Sequence, residues 1–137
     1  MRFHRLLLTY ATVLTVIIGL TAAPADAAPK PVSFAQVTAT LLPFNQVRVE
    51  LTVKCEPSDT YQFQIFHVLQ GETAGWNDDP TFLPTPCGTR EILPASGLTG
   101  LFEPGKAQLH ALVNICEGGD PAACSVAEVW KTVRLRT

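Results

Sequence analysis

The chain is short of the residues that catalysis, metal binding and nucleic-acid recognition require, and each shortage excludes a class of function. Beyond residue 28 no 3.6-residue hydrophobic period persists, so no substantial helix is expected. Zinc sites usually pair cysteines two to four residues apart, and Cys55, Cys87, Cys116 and Cys124 contain no such pair. Past His4 the only histidines are His67 and His110, and no serine sits in a Gly-x-Ser-x-Gly turn. A hydrolytic triad therefore has no visible parts, and both histidines read as strand residues. With 10 Lys and Arg against 12 Asp and Glu the net charge is −2, and no basic stripe tracks a phosphate backbone. Asn77-Asp78-Asp79 clusters oxygens, but its spacing matches no calcium loop, and a polar loop tip explains it. The expectation is a non-enzymatic protein with no metal, no cofactor and no nucleic-acid partner.

What is present begins with a leader. Arg2, His4 and Arg5 precede an uncharged apolar run from Leu6 to Leu20, followed by small residues to Ala28. This is the layout of a secretory signal peptide over 1–27, with Ala25-Asp26-Ala27 as the cleavage site. The run is 15 residues long and broken by Thr9, Tyr10, Thr12, Thr15 and Gly19. A bilayer span needs about 20 apolar residues. The expected product is secreted and extracellular, free of the membrane after cleavage, and consists of one domain over 28–137. Losing Arg2, Arg5 and Asp26 leaves 8 basic and 11 acidic residues, a net charge of −3.

The mature part reads as strands divided by turns. From Gln46 to Cys55, Val47, Val49, Leu51 and Val53 alternate with polar residues, giving one core face and one wet face. Ala35, Val37, Ala39 and Leu41 mark a strand before it, closed by Pro43, and Tyr61 to about Gln70 mark one after it. Gly71 to Pro86, rich in Gly, Pro, Asn and Asp, reads as a long loop. Cys87–Leu93 reads as a short strand ended by Pro94. Lys106–Cys116 and Cys124–Arg136 form a terminal hairpin. Six or seven short strands in this length predict an all-β, two-sheet antiparallel sandwich.

Four cysteines in an exported domain predict two disulfides. Cys116 ends one hairpin strand and Cys124 begins the next, so a bridge between them sets partners whose numbers sum to 240. That register places Leu109, Ala111, Val113 and Ile115 opposite Lys131, Val129, Ala127 and Ser125 on the inner face. Lys131 is its weak point, expected near the sheet's end. By elimination Cys55 pairs with Cys87.

Val53-Lys54-Cys55-Glu56-Pro57, Phe102-Glu103-Pro104-Gly105-Lys106-Ala107 and Cys116 through Cys124 to Val133-Arg134-Leu135 resemble small secreted immunoglobulin-like proteins of Gram-positive bacteria. That resemblance covers most of the mature chain and implies an immunoglobulin-like sandwich without assigning an activity. Ala122-Ala123-Cys124-Ser125-Val126 is similar to the hairpin of neocarzinostatin-type apoproteins, which bind an enediyne in a cleft of such a sandwich.

If the strand from Tyr61 neighbours the terminal hairpin, strand parity collects Phe66, Val68, His110, Leu112 and Trp130 on an outer face. Gln64, Glu128, Thr132 and Arg134 ring them. An aromatic and aliphatic patch inside a polar rim is the form of a ligand or partner site. The expected function is binding of a protein or small-molecule ligand through this face. A bulge near Phe66 would reverse the facing of Val68, and the long loop could fold over the patch. The alternative is a protease inhibitor that presents the 71–86 loop, with Thr81-Phe82-Leu83-Pro84 as a rigid substrate mimic.

Overall fold

A computed structural model describes residues 30–77 and 83–137; the expected signal peptide lies outside them. The described residues form eight strands, namely β1 (Ser33–Leu42), β2 (Gln46–Lys54), β3 (Thr60–Gln70), β4 (Thr73–Trp76), β5 (Thr85–Pro86), β6 (Arg90–Thr99), β7 (Gly105–Cys116) and β8 (Cys124–Arg136). A single 3-10 turn, Glu117–Gly119, joins the last two.

The strands run β4-β6-β2-β1-β8-β7-β3-β5, and β4 also pairs with β3. Seven strands therefore close into a barrel, with β5 as an extra strand on β3. The barrel is mixed, because β1 and β8 run parallel while the other pairs are antiparallel. This corrects the expected immunoglobulin-like two-sheet sandwich. The closing element is β4, four residues inside the stretch read as loop: His67 pairs with Trp76 on one side and Trp76 with Ser96 on the other. Gly75 makes the closure possible. A Cβ there would stand 2.8 Å from the Phe102 ring, which packs over it. Strand β6 also runs past Pro94 to Thr99, since Pro94 lies opposite Arg48 of β2 and β4 pairs only from Ser96 onward, so no bond is lost.

The interior is a single apolar cluster built from alternate residues of β2 (Val47, Val49, Leu51, Val53) and β7 (Ala107, Leu109, Ala111, Val113, Ile115). Phe34, Tyr61, Phe63 and Phe66 join it in edge and tilted ring contacts. The Tyr61 hydroxyl reaches Glu91 of β6 and donates to Oε1 at 2.6 Å. Burial and that carboxylate push its pKa upward.

One end of the barrel is cross-tied. Cys55–Cys87 and Cys116–Cys124 are bridged, as the hairpin argument expects. Buried Asp59 sits among them, accepting from Lys30 Nζ at 2.9 Å and from the Gly118 amide at 3.1 Å, while its own carbonyl accepts from the Cys87 amide. Two disulfides fit an oxidising compartment. At the other end Asn45, at φ 56°, donates to the Gly100 carbonyl and accepts from the Phe102 amide. One side chain thus pins the connection between β6 and β7.

Candidate functional site

The hairpin register holds along its whole length, from Gly105↔Leu135 to Cys116↔Cys124. It places His110 opposite Trp130 and Leu112 opposite Glu128, outside the barrel. Strand β3 pairs with β7, but one residue is inserted: Phe63 faces Val113 and Ile65 faces Leu112, so Gln64 is a bulge. The bulge inverts the parity of everything after it. Phe66 and Val68, expected on the outer face, point inward and are 2% and 0% exposed. His67 takes their place outside. The signal is in the sequence: the apolar residues fall on odd positions at Tyr61 and Phe63 and on even ones at Phe66 and Val68.

Four rings consequently stand in one row across four strands. Trp76 (β4) pairs with His67 (β3), His67 with His110 (β7), and His110 with Trp130 (β8). The His67 and Trp76 rings meet edge to face at 3.7 Å between centroids, and His110 stacks on Trp130 at 4.1 Å with 29° between planes. The two imidazoles bring Nδ1 to Nδ1 at 3.5 Å. At about 4.8 Å per strand the row is roughly 14 Å long. It carries both of the chain's tryptophans, one at each end, 43% and 52% exposed. The histidines between them are part-buried.

Glu128 fixes one end of the row. Its Oε1 accepts from Trp130 Nε1 at 2.6 Å, and its Oε2 lies 3.7 Å from His110 Nε2. Burial, and then the neighbouring His110, hold the His67 pKa below its ordinary value. His67 therefore resists protonation. Leu112 and Ile65, both half-buried, extend the patch beside it. Of the expected set, His110, Leu112 and Trp130 lie together on the outer face; Phe66 and Val68 do not. Sequence reasoning missed His67 and Trp76, the first through the bulge and the second through the loop that contains β4.

Among the described residues no group of three or more His, Cys, Asp or Glu is placed to hold a metal ion. Asp78 and Asp79 of the acidic cluster lie outside them. So do Thr81 and Phe82 of the inhibitor-like segment, whose remaining residues Leu83 and Pro84 are exposed. No protein-family model, no curated protein and no solved structure matches this chain.

Proposed function

We propose that this protein is a secreted, non-enzymatic binding domain that engages its ligand on the outer wall formed by β4, β3, β7 and β8. The row Trp76–His67–His110–Trp130 carries this reading. Half-exposed indoles are costly to leave in water, and here two of them are held at fixed spacing by the two imidazoles and a carboxylate. A row about 14 Å long fits an extended ligand that presents flat apolar faces, such as the C–H faces of successive sugar rings, better than a single compact molecule. The leader over 1–27 and the two bridges support export.

Because both tryptophans lie in the row, intrinsic fluorescence reports on it without a label. Soluble oligosaccharides and secreted proteins are titrated while emission is followed. A true ligand shifts the emission of the native protein. Trp130→Ala weakens its binding about tenfold or more, as expected for an aromatic anchor. Unchanged binding by a folded Trp130→Ala protein rejects this face as the site.

A further inference from the structure

Strand β8 has an edge that β1 runs beside but pairs with at only two positions. Its pairing with β1 is limited to Ala39↔Leu135 and Thr40↔Arg136. Farther along, Lys30, Pro31 and Val32 only line a hollow with Val126, Ala127 and Glu128. Two residues keep the seam apart. Gln36 adopts φ 52° and breaks the β1 register between Ala35 and Thr38, bending that strand. Lys131 holds an inward-parity position opposite buried Leu109, where an ammonium cannot be enclosed without a partner, and it is exposed. The outcome is an open groove of about 660 Å³ between Val37, Thr38 and Thr40 on one side and Lys131, Thr132 and Arg134 on the other.

The groove offers main-chain groups as well as side chains. Cys116 and Cys124 stand 4.0 Å apart at Cα, the close spacing of a non-hydrogen-bonded pair. Even-numbered residues of β8 therefore turn their N–H and C=O away from β7. Those of Glu128, Trp130 and Thr132 face the seam beyond the last β1 pair. The charge is one-sided too. Lys131, Arg134 and Arg136 line the groove with no acidic side chain among its residues, in a chain whose net charge is −2. The salt bridges among the described residues involve Lys30, Arg48, Arg90 and His110, and none of these three.

We propose that the β1–β8 seam binds an extended acidic peptide segment, which adds as a strand to the free edge of β8 and sets its carboxylates against Lys131, Arg134 and Arg136. The bare strand edge favours a peptide over a polyanionic glycan: both satisfy the cations, but only a peptide offers the matching ladder of amides and carbonyls.

The probe is a hexaglutamate peptide, which carries carboxylates on both faces and is about 20 Å long when extended. A copy of it with N-methylated amides keeps every charge but cannot form a ladder. Trp76→Phe leaves Trp130, on the seam's own strand, as the only tryptophan. The expected result is a shift in Trp130 emission, together with slowed amide exchange at Glu128, Trp130 and Thr132. Lys131→Gln combined with Arg134→Gln, both exposed positions, weakens binding about tenfold. The methylated peptide fails to compete.

Equal binding of the methylated peptide, or of a sulfated dextran that fully displaces the hexapeptide without protecting these amides, overturns strand addition and leaves an anion patch. Protection that grows with protein concentration in the absence of peptide makes a second copy of the chain the occupant and also overturns it. No emission shift and no protection at millimolar peptide removes the site altogether.

Discussion

The two edges of β8 differ more than any other neighbouring regions of the barrel. Toward β7 the strand is paired at twelve positions, from Leu135 to Cys124, and toward β1 at two. The same thirteen residues form both edges, so β-propensity cannot be the cause. The β7 edge closes through a short connection, which keeps the entropy of bringing the strands together low, and a disulfide pins its register. Its partner alternates without interruption from Ala107 to Ile115. The β1 edge must instead recruit a strand from the far end of the chain, in parallel, past a bulge at Gln36 and an ammonium at Lys131. Dense pairing forms where local pattern, connection length and register agree, and it thins where they conflict.

The most direct test of this difference compares core positions on the two sides. Leu109→Ala, at a fully buried site facing β8, is expected to cost about 3 kcal/mol in urea unfolding. Val37→Ala, half-buried at the seam, should cost less than about 1 kcal/mol. Equal losses would mean that the seam is packed as tightly as the hairpin and would break the comparison. Next comes the pin itself. Replacing Cys116 and Cys124 together by Ala removes closure of a short loop, separation 8, worth about 2.6 kcal/mol on the chain-entropy model. The Cys55–Cys87 bridge, separation 32, should cost more, about 3.7 kcal/mol. A reversed order would show that the hairpin bridge holds the barrel and not only its own turn.

The hairpin edge was legible in the sequence and the seam was not, for a physical reason. Alternation along Leu109–Ile115 and Ala127–Val129, together with two cysteines, determines a register, because a one-residue slip would turn the whole core face outward. Closure of the barrel depends on Thr73–Trp76, where two of four residues are small and the flanks are turn-forming; its strand character comes from neighbours on both sides. The candidate face was half legible for the same kind of reason. His110 and Trp130 follow from the hairpin register alone. Phe66, Val68 and His67 depend on one extra residue in β3, visible only as a switch in apolar parity between Phe63 and Phe66. The expectation that Lys131 lies near the sheet's end presumes a wall closed on both sides. It sits well inside the strand, because the wall beside it is open.

A smaller effect concerns the tie between Lys30, just before β1, and Asp59. The Lys30 hydrogen bond and the Gly118 amide hold the Asp59 carboxyl below its ordinary value of 3.8. Between the folded and unfolded pKa values the unfolded chain binds more protons, so this contribution is present above 3.8 and lost as pH falls through the depressed value. Asp59 in turn raises Lys30 above 10.5, so that contribution is complete below 10.5 and lost as pH rises through the raised value. Acid should therefore speed amide exchange in the N-terminal part of β1 before it affects β7. Asp59→Asn should remove the difference. Simultaneous loosening of β1 and β7 in acid would show that the tie serves the whole barrel end.

The smallest effect, in energy, separates the two edges residue by residue. If the close approach of Cys116 and Cys124 marks a non-hydrogen-bonded pair, the odd-numbered amides of β8 donate into the β7 ladder and the even-numbered ones face β1. The parallel pairs at Leu135 and Arg136 engage β1 only at the far end, so the amides of Glu128, Trp130 and Thr132 have no strand to receive them. Native-state exchange should then alternate along β8. Ala127, Val129, Lys131 and Val133 should be slow, near the rate set by global unfolding, and Glu128, Trp130 and Thr132 fast. Alternation of this kind cannot come from fraying, which grades smoothly from an end, or from mobility of the whole strand, which would speed odd and even amides alike. Uniform protection along β8 would mean that β1 covers the edge in solution and that the two sides of the strand are equivalent.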